Sequence, residues 1–443
     1  MAYITRTTGT PTDRKKFTYS AWLKLANIET YQRPIQNYVD GSNRGYILYC
    51  HNTDSANNTW FFYDRIGAQI NFQANSVAKY RDTNGFYHLV VRADTTQSTQ
   101  ADRYRVYING EQIDLSIAHN VGQNVDLGFN NSSANLRIGG QESGSETWKG
   151  IMSHVHFCDG YSYAPTEFGS TDATTGEWKI NTSPSVTYGN NGYFVFKDDN
   201  AVTDRSGQGN NFTLSGSITK TEDCPSNVFA TWNPLQNYWE SSSFSDGNTT
   251  IYTGSSQYGC NKTTIGASSG KYYWEVKIGA SDGAGNIWQA VGINGQDITA
   301  SNQELGKYNY QIGYYGQDGT IRKNSSNIDT EATYTTNDII GVAMDLDNNK
   351  LYFHKNGTYI NSGNPSTGVY GYDITTNPPL GAYFPSVGDW DNNNRFYFYA
   401  NFGNGYFGTT AVSSAGTNAS GNGIFEYDVP TGFTALSTKG LNL

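Results

Sequence analysis

Cysteine, methionine and proline are scarce in this sequence, with four, three and eleven residues among 443. Cys50, Cys158, Cys224 and Cys260 lie far apart and form no CxxC pair, which argues against a zinc site and a disulfide framework. They read as free, mostly buried thiols. Charged residues make up only 15% of the chain, and no basic run is present that could track phosphates, so nucleic acid is not an expected partner. No apolar stretch approaches the roughly 18 residues needed to cross a bilayer, so no membrane insertion is expected. The opening "MAYITRTTGTPTDRKKF" lacks the apolar core of a signal peptide. Helical periodicity is missing too: no amphipathic segment reaches three turns.

What is abundant points to sheet. The chain has 34 Tyr, 21 Phe, 9 Trp and 49 Gly, a profile of aromatic-rich strands joined by tight turns. Its length suggests more than one domain. Charge is uneven: residues 1–160 hold 15 Lys+Arg against 14 Asp+Glu, and residues 161–443 hold 14 against 25, which together give the formal −10. In "FTYSAWLKLA", Phe17, Tyr19, Ala21, Leu23 and Leu25 share one face at period two. Similar runs follow at "GYILYC", "TWFFYD", "AQINFQ" and "FYHLVVRAD", and Asn109-Gly110 supplies a two-residue hairpin turn. Residues 161 to about 228 are turn-rich, with only "YFVFKDD" reading as a strand. A second strand series begins near "NTTIYTG" and shows no short repeat period, which predicts two different sandwiches.

One stretch of that second series, "GVAMDLDNNKLYFHKNG" (341–357), admits two readings. Asp345, Asp347 and Asn349 alternate like the first ligands of a calcium loop. Such a loop needs Gly at its sixth position and Glu at its twelfth, where this sequence has Lys350 and Asn356. The alternation of Val342, Met344 and Leu346, a turn at Asn348-Asn349, and the return of Leu351 and Phe353 predict a hairpin, ended by a second turn at Asn356-Gly357.

The blocks "GKYYWEVKI" (270–278), "VGI" (291–293), "IGYYGQDGTIRKNS" (312–325), "DIIGVAMDLDNNKLYFHKNG" (338–357), "PLGAYFPSV" (379–387) and "YANFG" (399–403) resemble the SPRY family in content and order. That resemblance implies a β-sandwich interaction module whose framework strands carry these blocks and whose variable loops bind. The pieces "YITRT" (3–7), "FTYSAWLKLA" (17–26), "FYHLVVRADTTQSTQADRYRVYINGEQI" (86–113), "NLRIGG" (135–140) and "WKGIMSHVHFCDGYSYAPTEFG" (148–169) resemble a concanavalin A/laminin G-like domain, in the form common in bacteriophage structural proteins. Together with the block leading to "DRSGQGNNFTL", the pair of modules is similar to marine phage virion appendage proteins. The resemblance starts almost at Met1, so no N-terminal anchor of the usual fibre type is expected.

Catalytic constellations are hard to assemble. Glycosidases on such sandwiches place two carboxylates roughly 5–10 Å apart across a cleft, whereas "QESGSETW", "KDDN" and "TEDC" fall in predicted turns. His154, His156 and Cys158 alternate along "SHVHFC" and are zinc or copper ligand types; partly buried framework residues are the preferred reading. His51, His88, His119 and His354 lie on unrelated segments. "GASSGK" (266–271) lacks phosphate-loop spacing and reads as a turn. Carbohydrate binding is the positive idea: aromatic faces beside Asn and Asp occur at Trp60, Tyr63 and Asp64, at Tyr314, Tyr315 and Asp318, and at Trp390 and Asp391. Trp390 is preferred, because Asp389-Trp390-Asp391-Asn392 makes poor core.

The expectation is an all-β chain of two antiparallel, jelly-roll-type sandwiches, residues 1–165 and 230–443, joined by an irregular connector over 166–229. Trp178, Phe194 and Trp232 in or near that connector are expected to pack on both neighbours. The expected function is a non-enzymatic bacteriophage virion protein, a tail-fibre or appendage adhesin binding host-surface glycans or protein. The alternative is a capsid decoration or fibre-joint protein whose loops grip other virion proteins. No cofactor is expected. The expected setting is a symmetric multimer on the particle exterior, made in the host cytoplasm.

Overall fold

The computed structural model describes residues 2–50, 57–198, 201–239, 241–254, 258–282, 288–391 and 394–442. The chain divides into two compact units, Met1–Lys220 and Thr221–Leu443. Both are all-β sandwiches of antiparallel strands, save that Thr434–Ala435 pairs parallel to Tyr272 and Tyr273 in the second, and the helical elements among the described residues are three-residue 3-10 turns.

In the first unit an eight-stranded sheet runs in the order Leu115–His119, Gln69–Ser76, Thr59–Ile66, Asn43–Cys50, Gln32–Asp40, Asn135–Ile138, Tyr3–Thr7, Thr213–Ser215. A six-stranded sheet runs Tyr193–Val195, Gly150–Asp159, Lys16–Leu25, Tyr87–Asp94, Tyr104–Ile108, Glu111–Gln112. Phe17, Tyr19, Ala21, Leu23 and Leu25 fill the core as their alternation predicts, against Ile35, Ile47, Tyr49, Trp60 and Phe62 of the facing sheet. Asn109 and Gly110 take φ values of 50° and 83°, the left-handed pair that a two-residue hairpin turn requires.

The opposite face of Lys16–Leu25 is buried as well, through Thr18, Ser20, Trp22 and Lys24. Its cover is the segment after Asp159. Thr18 Oγ1 donates to Tyr161 O (2.9 Å) and accepts from Tyr163 N (2.7 Å). Trp178, on a small hairpin of Gly169–Thr171 with Trp178–Ile180, donates through Nε1 to His88 Nδ1 (2.8 Å). That indole lies so close to Gly110 and Gly169 that a Cβ at either would approach its ring to 2.5 and 2.7 Å. The stretch 166–229, expected as a connector, is therefore shared between the units. Tyr193–Val195 and Thr213–Ser215 are edge strands of the first, and Phe194 packs there with Cys158 and Tyr188. Phe229 and Trp232 belong to the second core.

The second unit has a nine-stranded sheet whose main path is Ser243–Ser245, Thr250–Tyr252, Phe396–Asn401, Lys271–Ser281, Ile339–Asp345, Lys350–Lys355, Thr358–Tyr359. Its six-stranded partner runs Cys260–Lys262, Phe384–Asp389, Gln289–Asn294, Gln311–Tyr315, Thr320–Lys323, Ser326–Thr330. Trp274, Val276, Val342, Met344 and Phe398 meet Val291, Ile293, Ile312, Tyr314 and Val387 in the core. Residues 341–357 form the expected hairpin, with Val342 opposite Phe353 and Met344 opposite Leu351. Its acids are structural: Asp345 accepts from Asn348 N (3.0 Å) and Nδ2 (2.8 Å) and pairs with Lys271 (2.9 Å). Asp347 accepts from Gly270 N (2.7 Å).

Candidate functional site

Of the eight residues singled out as ligand contacts, five are built into the cores and one caps a turn. Trp60 is fully buried, edge-on to Tyr49 (5.4 Å) and stacked with Trp148 (6.3 Å). Tyr63 is buried and stacks on Tyr46 at 5.0 Å. Asp64, also buried, accepts from Gly128 N (2.9 Å), Phe129 N (2.7 Å) and Asn71 Nδ2 (2.9 Å), anchoring a loop; burial pushes its pKa up to about 6. Tyr314 is a core residue whose hydroxyl donates to Ala332 O. Tyr315 is fully buried and donates to Leu305 O at 2.7 Å. Asp318 is exposed but engaged, accepting from Thr320 N (3.0 Å) and Oγ1 (2.7 Å). Stacking a sugar on Trp60, Tyr314 or Tyr315 would require opening a packed core, and Tyr63 is covered by Tyr46 and Arg44, so these four and the buried Asp64 do not serve as ligand contacts.

Trp390 remains, 40% exposed at the end of Phe384–Asp389. Its acidic neighbours do not remain with it: Asp389 is fully buried, and Asp391 is buried and accepts from Asn394 Nδ2 at 2.7 Å. Asp389 is held by Trp239 Nε1 (3.2 Å) and Gly259 N (3.2 Å), and burial raises its pKa well above the carboxylate range.

What joins Trp390 comes from other strands. The Arg322 guanidinium lies over its ring at 3.8 Å and over Tyr315 at 5.6 Å. Trp288 meets it edge-on at 5.6 Å, and Trp390 N donates to Trp288 O (3.1 Å). Below, Cys260, Ala290, Ile298, Leu305 and Tyr315 form a small apolar cluster on the outer face of the six-stranded sheet. Arg322 is buried to 9% exposure, yet its Nε and Nη1 find no acceptor among the described residues. Neither Arg322 nor Trp288 was expected here. The available signal was a lone Arg alternating with Ile321 in "TIRK", which turns it to the face opposite the core.

The remaining chemistry-bearing groups are structural. In "SHVHFC" the pairing register shifts between Ser153 and His156, and His154 takes φ 48°, which breaks the alternation that would align three ligands. His156 stacks on Phe194 (3.9 Å) and bonds Tyr188 OH (2.9 Å), while Cys158 packs with Phe168. No group of three metal-ligating side chains occurs among the described residues. Glu146 pairs with Arg33, Asp198 lies 3.9 Å from Arg205, and Asp223 accepts from Phe229 N. His51 lies outside the described residues, as does Asp199 of "KDDN".

The model of the concanavalin A-like lectin/glucanase superfamily matches residues 2–166, and that of the SPRY domain matches residues 271–401. The chain carries a concanavalin A-like domain followed by a SPRY domain. A Drosophila melanogaster protein, "Ran-binding proteins 9/10 homolog", is 36% identical over 94 residues, which are 21% of this chain and 10% of that protein. "Ran-binding protein 10" of Danio rerio is 31% identical over 125 residues, 28% of this chain and 18% of that protein. The matched region thus spans under a fifth of these relatives. The SPRY domain of human HERC1 is similar at 18% identity with a TM-score of 0.31, covering 38% of this chain and 96% of that one. Trp288, Tyr315, Arg322, Asp389 and Trp390 all lie within the SPRY match. Its unit extends beyond the match with Ser243–Ser245, Thr250–Tyr252, Cys260–Lys262 and Thr434–Ala435, and the concanavalin A-like unit with Tyr193–Val195 and Thr213–Ser215.

Proposed function

We propose that this chain is a non-enzymatic recognition protein whose SPRY domain binds an acidic glycan of a host surface through Trp390 and Arg322. The observation that carries the reading is the Arg322 guanidinium stacked at 3.8 Å on an exposed tryptophan. A planar fork of N–H groups matches a carboxylate or sulfate. The exposed indole face supplies apolar area against the C–H face of a sugar ring.

The virion setting is the second part of the proposal. It is supported by the resemblance of the first unit's blocks to phage structural proteins. In that setting the chain is held by other virion proteins in symmetric, repeated copies on the particle exterior. Linking many weak sites raises avidity by about 10²–10⁴, which is what adhesion through one shallow site requires.

A glycan array read with the full chain tests the binding claim. Uronate- or sialate-bearing glycans should bind at least tenfold more tightly than their carboxyl-reduced counterparts. Trp390→Ala and Arg322→Gln should each remove that preference. Equal binding of the reduced glycans, or an unchanged preference in both variants, contradicts it. Trp390 seen buried against a neighbouring virion chain in an assembled particle would replace adhesion with the joint or decoration role.

A further inference from the structure

A concavity lies on the same unit, built from elements other than those at Trp390. A groove of about 460 Å³ runs between residues 331–332, after the edge strand Ser326–Thr330, and residues 355–362. That volume falls within the range of small-molecule clefts. Its polar lining divides into engaged and free groups. Lys355 pairs with Asp338 (3.2 Å) and donates to Thr333 O (2.8 Å). Asn356 donates to Asp338 Oδ1 (2.6 Å) and accepts from Ile339 N (2.8 Å). The Glu331 carboxylate, Asn361 Oδ1 and the Ser362 hydroxyl take no hydrogen bond from any described residue, and all three line the groove. The half-buried Tyr359 ring, edge-on to His354 at 5.3 Å, adds an aromatic surface.

Backbone conformation singles out the same place. Asn356, Asn361 and Ser362 have φ values of 49°, 52° and 51°, and Tyr370 has 54°. Asn tolerates this region, but a serine and above all a bulky tyrosine do not adopt it freely. Tyr370 is joined to the groove, since Asn361 Nδ2 donates to its carbonyl (3.4 Å), and it is 65% exposed, the most exposed of the large apolar side chains described. A left-handed backbone thus holds an exposed aromatic residue whose carbonyl is bonded to the cleft's lining.

We propose that this groove, with Tyr370 at its rim, is a binding site for a neutral hexose. The free groups are a carboxylate, an amide oxygen and the hydroxyls of Thr358, Tyr359 and Ser362, so the cleft offers acceptors beside groups that both donate and accept, and its ligand must be rich in hydroxyls. Anions are disfavoured because Glu331 repels them and the lining's one ammonium, Lys355, is neutralised by Asp338. A cation is matched less well, because a single carboxylate faces the groove and the other free groups are hydroxyls and an amide oxygen. The exposed Tyr370 ring gives the apolar face against which sugar C–H groups pack. The site shares no residue with the Trp390–Arg322 site and takes a neutral ligand where that one takes an acidic ligand, so either can fail without the other.

Saturation-transfer NMR on the full chain tests the proposal, with the methyl glycosides of glucose, galactose, mannose and N-acetylglucosamine as probes. At least one should receive saturation, with a dissociation constant on the order of 1 mM. Tyr370→Gly and Asn361→Gly keep the left-handed backbone while removing the side chain, and circular dichroism confirms that they fold. Both should weaken that binding at least tenfold, whereas Trp390→Ala should leave it unchanged. Absence of transfer to all four glycosides overturns the proposal. So does binding that survives both glycine variants, or binding that disappears in Trp390→Ala.

Discussion

The two sandwiches cover the outer face of a sheet with their own chain, yet they bury opposite kinds of ionisable group beneath that cover. In the first unit the group is a neutral histidine. His88 stacks on Trp22 at 4.6 Å, accepts from Trp178 through Nδ1, and so carries its proton on Nε2, which faces Ser20 Oγ (2.8 Å). In the second it is an acid. Glu275 accepts from Glu426 N (2.9 Å), Tyr427 N (2.8 Å), Tyr273 OH (2.9 Å) and Asn401 Nδ2 (3.3 Å), which fastens the C-terminal segment over the nine-stranded sheet. His354 completes that chain, since its Nδ1 accepts from Gly357 N (3.0 Å) and its Nε2 faces Tyr273 OH at 2.7 Å. One architecture therefore tolerates either type of ionisable group where hydrogen-bond partners surround it, as they do His88 and Glu275.

The consequence is opposite pH behaviour. Burial lowers the pKa of His88 to about 3 and of His154 to about 4, and holds His156 well below its usual value. A depressed histidine contributes stability that is present above pH 6.5 and lost as pH falls toward the folded value. Burial outweighs four donors at Glu275 and raises it from 4.5 to about 7, and Asp389 is raised as well. A raised acid contributes stability that is present below its unfolded pKa and lost as pH rises through the folded one. Between pH 7 and 4 the first unit loses three histidine contributions and gains one acid's, that of Asp64. The second loses only that of His354, lowered to about 3, and gains two.

The largest expected effect comes from the core of the first unit. Trp60→Ala should cost about 3–5 kcal/mol in denaturant unfolding and speed hydrogen exchange most in that unit, with no loss of ligand affinity. A stable variant that no longer binds would return Trp60 to the ligand contacts. Next is acid. His88 alone should remove about 3 kcal/mol from the first unit between pH 6.5 and 4, so exchange protection of Tyr87–Asp94 should fail at a higher pH than that of Ile339–Asp345. Simultaneous loss, or the reverse order, breaks the comparison. Glu275→Gln should flatten the second unit's stability between pH 4.5 and 7, a slope worth up to about 3 kcal/mol in the parent, whatever its effect on the absolute level. A slope unchanged by the substitution would show that Glu275 is not the titrating group. The smallest effect is at the surface, where Trp390→Ala should change stability by under about 1 kcal/mol, the scale of one exposed cation–π contact, while removing glycan binding.

Sequence legibility followed the length and regularity of the elements. The hairpin at 341–357 and the core face of Lys16–Leu25 were readable because period-two runs end in Asn-rich turns. Trp60 and Tyr63 were misread because "NNTWFFYD" surrounds them with turn-type residues, although Thr59–Ile66 is an interior strand buried on both faces. The boundary near 220 was hidden because Tyr193–Val195 and Thr213–Ser215, three residues each, are too short to show a period. Trp390 stood out because no pattern placed it inside. Its partner Arg322 did not, since only the pairing of Gln311–Tyr315 with Thr320–Lys323 and the sheet order bring it to that ring.

Hydrogen exchange of the full chain, with and without a saturating acidic glycan, tests recognition at Trp390 most directly. The expected result is slowed exchange confined to peptides covering Gln289–Asn294, Thr320–Lys323 and Phe384–Asp389, with none in the first unit. Protection centred on Thr59–Ile66, or spread over the concanavalin A-like domain while the Trp390 peptides stay unchanged, would contradict it.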